Sequence, residues 1–264
     1  MSSSSPQQAA WLPKLVIAPS FVLSLLFIYG LMAWNGYLSM SASRILPNYD
    51  FVGLQHYGAL LDSDRFRVAM TNMAVFGFCF IGGAMALGVL LAILLDQKVR
   101  GEGVLRTIYL YPMAISFIVT GTAWKWILNP GLGLQHLMHS WGFTDFQFEW
   151  LVDQDMAIYC VVIAGVWQSA GFVMALFLAA LRGIDDSIIK AAQVDGASLP
   201  RIYWRIILPS LGPVFFSTLM VVSHLAIKSF DLVMALTAGG PGYATDLPAT
   251  FMYATAFTRG QIGV

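Results

Sequence analysis

Charged residues are scarce in this sequence. It has 14 Lys and Arg and 14 Asp and Glu among 264 residues, 11% in all, while 58% of its residues are hydrophobic and the mean hydropathy is +0.72. Soluble domains carry about 25% charged residues, so the composition excludes an ordinary soluble domain. The net charge is zero, and no basic cluster alternates with aromatic residues, which argues against recognition of nucleic acid or of anionic lipid. The sequence indicates an integral membrane protein.

Cysteine and clustered histidine are also nearly absent. The two cysteines, Cys79 and Cys160, lie inside apolar runs, so we interpret them as packing residues and predict no disulfide. The four histidines are scattered, and the chain has neither a G-x-x-x-x-G-K-[ST] phosphate loop nor an H-E-x-x-H metal pair. We therefore predict that the chain is not an enzyme, with no catalytic residue, no metal site and no cofactor of its own.

Long apolar runs are what the sequence has in abundance. A helix of about 20 such residues crosses the hydrocarbon of a bilayer, and five runs are long enough: 15–37, 68–95, 107–128, 156–181 and 207–238. We predict an all-α, polytopic transmembrane helix bundle with five spans over residues 11–264, after a disordered N-terminus at 1–10. We also expect a sixth span beyond residue 264, because the last residues resemble the approach to another crossing.

The second run contains pairs of small residues spaced for close helix packing. Gly82 and Ala86 lie four apart, as do Ala84 and Gly88, and each pair would lie on one helix face and let a neighbouring helix approach. We predict a helix–helix seam there, although glycine is common in membrane helices for other reasons.

Basic residues decide the orientation of the spans. The short connections on one side of the membrane contain more basic residues than those on the opposite side, which contain mainly Arg44, Arg65 and Arg67. Because positively charged loops are retained in the cytoplasm, we predict a cytoplasmic N-terminus. The more numerous basic residues are expected on the same side: Lys14, Lys98, Arg100, Arg106, Arg182, Lys190, Arg201 and Arg205.

A charged loop, residues 182–206, separates the fourth run from the fifth. Asp185 or Asp186 can cap a first helix through its free N–H groups, and Gly196 permits the positive φ that ends it. Ser198 can cap a second helix, with Pro200 tolerated in its first turn. The pattern predicts a helix-turn-helix whose small residues let a partner approach closely, or else a solvated connector of mixed charge.

A resemblance decides between these two readings. Residues 190–197, KAAQVDGA, with Tyr203, Ile206, Leu208, Pro209 and Pro213 at the spacing found here, resemble the signature EAA-type loop of binding-protein-dependent ABC transporter permeases of the carbohydrate-uptake family. The segments FVGLQHYGALLDSDRF, YLYPMAISFIVTGTAWKWILNPGLGLQHLM and FDLVMALTAGGPG are similar to that family as well, so the resemblance covers nearly the whole chain from Trp11.

The resemblance implies a fold, a function and a set of partners. The fold is that of a type I ABC importer permease, and the function is ATP-driven import of a sugar that an extracytoplasmic binding protein delivers. The implied partners are two ATPase subunits, which bind ATP and Mg, and a second, homologous permease that makes a heterodimer. The implied location is a bacterial inner membrane.

The resemblance also assigns the loop residues. ATPase docking falls on Lys190, Ala191, Ala192, Asp195, Gly196, Ala197, Leu208 and Pro209. Lys190 departs from the family pattern, which usually has glutamate at this position, so the resemblance suggests an ATPase groove with a compensating residue.

Two groups of polar residues in the runs are candidates for a substrate path. Trp167, Gln168 and Ser169 put an aromatic ring beside an amide and a hydroxyl, which suits a sugar; the alternative is a Trp in a helix interface with Gln168 bonded to another helix. Polar residues that face lipid are costly, so a cavity or a helix contact is expected for the second group: His224, Lys228 and Asp231. An internal ion pair between Lys228 and Asp231 is the alternative there.

Two other functions remain open from the sequence. Glycerol phosphate or another polyol is an alternative substrate, for which Lys228 is the intramembrane cationic candidate, since Lys125 lies close to an end of its run. A secondary transporter or a channel is the alternative of another class, and it would be favoured by inverted repeats, of which we find none that is persuasive.

Overall fold

The computed structural model describes residues 6–44, 48–97 and 99–261. It divides into two units, Met1–Ser63 with Tyr253–Val264, and Asp64–Met252, where the sequence predicted one domain over 11–264. The fold class is all-α, as predicted; within the described ranges the only β pairing is an isolated bridge between Ser41 and Phe51.

The first unit contains the first span. Helix α1 (Pro6–Ser24) continues through a π-helical segment, Leu25–Gly30, into α2 (Leu31–Ser39). Its membrane-crossing part has a hydropathy of 2.3 with no residue buried, so the apolar side chains face outward. The short helix α3 (Gln55–Asp62) follows.

At residues 6–10 the structure has a helix where the sequence predicted disorder. We expected disorder over 1–10, whereas α1 begins at Pro6; residues 1–5 lie outside the described residues. Proline is accepted at the first helical position, and the glutamines and alanines that follow are good helix formers. Lys98, one of the residues used for the orientation, also lies outside the described residues.

Two long helices form the centre of the second unit. They are α4 (Asp64–Asp96) and α8 (Ala157–Leu181), and they confirm the second and fourth predicted spans. A Cβ on Gly88 would lie 2.4 Å from the Cβ of Val173, so only glycine lets the two helices approach this closely. The seam through Ala84 and Gly88 is confirmed, but a Cβ on Gly82 would meet nothing within 4 Å. Gly82 is therefore not needed for a close helix approach at its own position.

The third predicted span is not a continuous helix. Helix α5 (Glu102–Leu110) leads through a 3-10 turn, Tyr111–Ala114, to α6 (Phe117–Ile127), and the two helical parts meet at 102°. Ile115 and Ser116 are extended between them, and the Ser116 side chain accepts a hydrogen bond from the Val119 N–H. This new N-cap follows Pro112, which disfavours a continued helix.

The charged loop and the fifth predicted span form a series of short helices. After α7 (Leu134–Ser140) and α8 come α9 (Asp186–Val194), α10 (Leu199–Ile202), the π-helical segment Tyr203–Ile207, and α11 (Leu208–Ser210). They are followed by α12 (Gly212–Ile227) and α13 (Asp231–Leu236), and then by α14 (Pro248–Tyr253) and the π-helical segment Ala254–Thr258.

The fifth span was predicted to continue from residue 207 to about residue 238, and that extent is wrong. A 70° bend at Leu211 precedes α12, and α12 ends at Ile227, where Lys228 is its C-cap. Residues 228–230 then separate it from α13. Among the described residues, three helices are long and apolar enough to cross a membrane, and five crossings result if each bent pair counts as one.

The N-terminal end of α4 is held by the loop after α13. Asp246 is 1% exposed. The Arg65 Nε donates to its Oδ2 at 2.6 Å, and the Thr250 hydroxyl donates to its Oδ1 at 2.5 Å. The Arg65 guanidinium lies 4.5 Å from the centre of the Tyr243 ring, and Asn72 donates from its Nδ2 to the carbonyl oxygens of Tyr243 and Asp246 at 3.0 Å each. A buried carboxylate with these partners fixes the loop to the start of α4.

Candidate functional site

The first helix of the charged loop, α9, is capped at both ends as the sequence predicted. The Asp185 carboxylate accepts a hydrogen bond of 2.8 Å from the Ser187 N–H, and this bond lowers the pKa of Asp185. Gly196 has a φ of +76°, and the Ala197 N–H returns to the Ala192 carbonyl at 3.0 Å. The caps therefore define a nine-residue helix and a sharp turn after it.

One face of α9 is open to solvent. Lys190, Ala191 and Val194 are all exposed, and Val194 is 87% exposed. At helical spacing these three residues share a face with Ser187. An exposed valine on a capped helix is a feature that we did not single out from the sequence; the available signal was an apolar residue within the charged segment.

The small residues of the loop do not all share this face. Ala192 is 8% exposed and packs in the core of the chain, and Ala197 is half-buried. Neighbouring residues on a helix are 100° apart, so Ala191 and Ala192 point in different directions. Ala192 consequently holds α9 to the rest of the chain, while Ala191 remains on the open face.

The second helix of the loop begins at Ser198 with Pro200 in its first turn, as predicted, but the Ser198 side chain makes no capping hydrogen bond. Leu208 and Pro209 lie on a different surface from residues 190–197. Together with the exposed Trp204 they line an apolar groove of about 720 Å³ along α4. The structure therefore divides the predicted docking residues between two surfaces.

The three polar residues of the fifth span meet at one cavity. His224, Lys228 and Asp231 line a cavity of about 310 Å³ where α12 ends and α13 begins. Among the described residues no ion pair joins Lys228 to Asp231, because the chain leaves the helix at Lys228 and the i, i+3 spacing no longer brings the two side chains together. Three aromatic residues complete the wall: Phe76, Phe80 and Phe117.

Gln168 and Ser169 line a second cavity, of about 300 Å³. The Gln168 Nε2 donates to the carbonyl of Ile115 at 2.6 Å, in the extended turn between α5 and α6, whereas the alternative from the sequence was a bond to another helix. Both residues are 4% exposed, and within the described part of the chain the Gln168 Oε1 and Ser169 Oγ have no hydrogen-bond partner. Two buried acceptors without partners are uncommon in folded proteins.

Trp167 lies outside this second cavity. Its ring contacts that of Trp124 edge-on, with the ring centres 5.8 Å apart. The predicted platform of an indole beside an amide and a hydroxyl is therefore not formed, because adjacent helical residues point in different directions. Aromatic rings reach the cavity instead from Phe117 and Phe172, which the sequence could not place without the bend at Ile115.

The two cavities adjoin each other. Phe117 and Leu225 line both of them. Within the described residues no group of three or more His, Cys, Asp or Glu side chains could hold a metal ion. The walls are aromatic and aliphatic with a few polar groups, which is the usual composition of a small-molecule site.

The sequence matches the model of a family described as "Binding-protein-dependent transport system inner membrane component" over residues 84–262. It is 37% identical to a probable ABC transporter permease protein of Pyrococcus horikoshii over 247 residues, 93% of this chain and 85% of that protein. It is 36% identical to the xylose/arabinose import permease protein XacH of Haloferax volcanii, over 91% of this chain and 77% of that protein. It is 32% identical to the sn-glycerol-3-phosphate transport system permease protein UgpA of Salmonella typhi, over 98% and 88%.

Solved structures share the fold. A crystal structure of a bacterial ABC transporter involved in the import of the acidic polysaccharide alginate has a TM-score of 0.82 and 24% identity, over 97% of this chain and 88% of that chain. A second structure, of the bacterial alginate ABC transporter with a periplasmic protein bound to an alginate pentasaccharide, has a TM-score of 0.84 and 22% identity, over 97% and 86%.

Proposed function

This chain belongs to the binding-protein-dependent transport system inner membrane components, and we propose that it forms the passage for a sugar in an ATP-driven importer. The charged loop docks on an ATPase subunit, and the two adjoining cavities lie on the substrate path. As a transport permease the chain is not an enzyme, and ATP is hydrolysed on separate subunits.

The open face of α9 carries the docking part of this proposal. Exposed side chains on α9 belong to Lys190, Ala191 and Val194, and the helix is capped by Asp185 at its start and ended by Gly196. A capped helix with one apolar residue outward suits insertion into a groove of a partner, since little conformational freedom remains to be lost on binding. Because ATPase subunits are cytoplasmic, the loop and the N-terminus lie on that side of the membrane.

Docking is tested by co-purification. The permease is expressed with the ATPase, the second permease and the binding protein encoded with it, and the ATPase recovered per permease is measured for the wild type and for Val194→Asp. A buried charge without a partner is costly, so we expect Val194→Asp to lower the recovery of the ATPase while membrane insertion is unchanged. Equal recovery would remove α9 from the interface.

A neutral sugar is the proposed substrate. Aromatic walls suit the apolar face of a sugar ring, while Gln168, Ser169 and His224 can exchange hydrogen bonds with its hydroxyls. Lys228 and Asp231 line the same cavity and have opposite charge, so they can donate to and accept from hydroxyl groups without requiring a charged ligand. XacH of Haloferax volcanii, which is named for xylose and arabinose import, is consistent with this class.

Glycerol phosphate is the second candidate, because Lys228 and His224 could bind a phosphate and because UgpA is named for that substrate. Asp231 in the same cavity disfavours it, since a carboxylate repels an anion. Uptake into proteoliposomes that contain the complete complex separates the two. Import of pentoses or hexoses without import of glycerol phosphate supports the sugar, and the reverse result refutes it.

The same preparation tests the remaining alternatives. A heterodimer predicts one copy of a second, homologous permease for each copy of this chain, which native mass spectrometry measures. Uptake that continues without ATP would instead indicate a secondary transporter or a channel.

A further inference from the structure

Tyr203 makes the polar contact between the charged loop and the inner end of α4. Its hydroxyl donates to the Asp96 Oδ2 at 2.6 Å, and the Gln97 Nε2 donates to the Tyr203 Oη at 2.8 Å. Asp96 is the last residue of α4, and Tyr203 is the first residue of the π-helical segment that follows α10. The loop and the helix are thus joined by a short hydrogen bond to a carboxylate.

Apolar packing also holds this part of the loop. Ile202 is fully buried and Ile207 is 2% exposed, on either side of Tyr203 in the sequence. The Tyr203 ring is half-buried and packs against the same core. A phenylalanine would fill the same space, so the packing of the loop does not require the hydroxyl group. What the hydroxyl adds is a directional bond to one atom of α4.

Helix α4 reaches from this bond to the substrate cavities. It has 33 residues, which is about 50 Å at 1.5 Å per residue. Phe76 and Phe80 on α4 stack with ring centres 5.3 Å apart and form part of the wall of the cavity that contains His224. The opposite end of the helix is held by Arg65 and Asn72. A displacement applied at Asp96 therefore acts on a helix that forms the wall of a cavity.

We propose that Tyr203 and Asp96 are positioning residues that transmit movement of the charged loop to α4. This inference rests on the proposed docking of the loop to an ATPase. When the loop moves with the ATPase, the hydrogen bond makes the inner end of α4 move with it, and Phe76 and Phe80 shift relative to α12. Without the bond the loop still docks and ATP is still hydrolysed, but less of the movement reaches the cavity.

The test compares sugar molecules imported per ATP hydrolysed in proteoliposomes of the complete complex. Tyr203→Phe and Asp96→Ala each remove the bond, and each is expected to lower this ratio at least about ten-fold, which is the lower end of the effect expected from the loss of a hydrogen bond to a charged group. The double variant should be no worse than Tyr203→Phe, because both single variants remove the bond between Tyr203 and Asp96, and Tyr203→Phe also removes the bond from Gln97. Asp96→Asn keeps an acceptor oxygen and should stay within about three-fold of the wild type.

Tyr109→Phe is the matched control. Tyr109 is also half-buried against the core, and its hydroxyl has no hydrogen-bond partner within the described part of the chain. The number of sugar molecules that Tyr109→Phe imports per ATP hydrolysed should equal that of the wild type. An unchanged ratio in Tyr203→Phe, additive losses in the double variant, or an equal loss in Tyr109→Phe would each overturn the proposal.

The amount of ATPase recovered with the permease distinguishes a failure of transmission from a failure of docking. We expect Tyr203→Phe and Asp96→Ala to recover as much ATPase as the wild type. A loss of ATPase in step with the loss of transport would refute transmission, because the variants would then be defective in assembly. A wild-type complex that recovers no ATPase would refute the proposed docking itself.

Discussion

Substitution of Gly196 should weaken docking through the backbone alone. Gly196 has a φ of +76°, and a Cβ added to it would meet nothing within 4 Å. Any effect of a side chain there comes from the left-handed conformation, which costs an L-residue about 1–2 kcal/mol, with β-branched residues at the upper end. Gly196→Val therefore places about 2 kcal/mol of strain on the turn that ends α9.

This strain matters because α9 has only nine residues. Isolated helices shorter than about 12 residues are marginal in water, so α9 depends on its caps and on Ala192. A cost of about 2 kcal/mol corresponds to a roughly 30-fold lower population of the capped form. We expect at least a ten-fold loss of ATPase recovered with the permease, measured by quantitative co-purification at limiting ATPase, with unchanged membrane insertion.

Two variants make the experiment decisive. Gly196→Asn should retain most of the docking, since asparagine tolerates the left-handed conformation. Gly142 has a φ of +99° with nothing within 4 Å of an added Cβ, but it lies outside the charged loop, so Gly142→Val carries similar strain and should leave docking intact. Normal recovery with Gly196→Val, or an equal loss with Gly142→Val, would refute the reasoning.

Three other predictions follow from the same geometry. Asp185→Ala should reduce docking and Asp185→Asn should not, because asparagine also caps helices. The bond from Ser187 lowers the pKa of Asp185. The ionised carboxylate therefore stabilises α9 fully above the ordinary carboxyl pKa, and this stabilisation is lost only as the pH falls through the lowered pKa. A decline of docking between pH 8 and 6 would contradict this. Lys190→Glu should lower ATP-driven uptake by reversing the charge on the open face of α9, and uptake equal to that of the wild type would count against a compensating residue on the ATPase. Gln168→Ala and His224→Ala should change the relative uptake of a panel of sugars, and an unchanged panel would remove both residues from the path.

The features that the sequence predicted correctly are those that depend on neighbouring residues. The caps of α9 need only Asp185 and Gly196 at a given spacing, and the long apolar runs of α4 and α8 identify themselves by composition. Local pattern is sufficient in such cases, because the physical cause lies within one or two helical turns.

The features that were missed depend on contacts between distant parts of the chain. The bend before α6 is held by Gln168, which is 53 residues from the carbonyl that it binds, and Tyr203 is 107 residues from Asp96. No periodicity carries such information. The apolar run through residues 207–238 also concealed the break after Ile227, because apolar composition is similar on both sides of it.

Phe117 and Leu225 line both cavities, so these two residues lie where the two spaces meet. Side chains change rotamer within nanoseconds when they have room, whereas helices move in microseconds to milliseconds. On the proposed substrate path, the bulk of these two residues would limit the length of sugar chain that fits, together with the position of the helices. On that path, exchange of one of these two residues for a smaller one would widen the connection between the two spaces and favour a longer sugar.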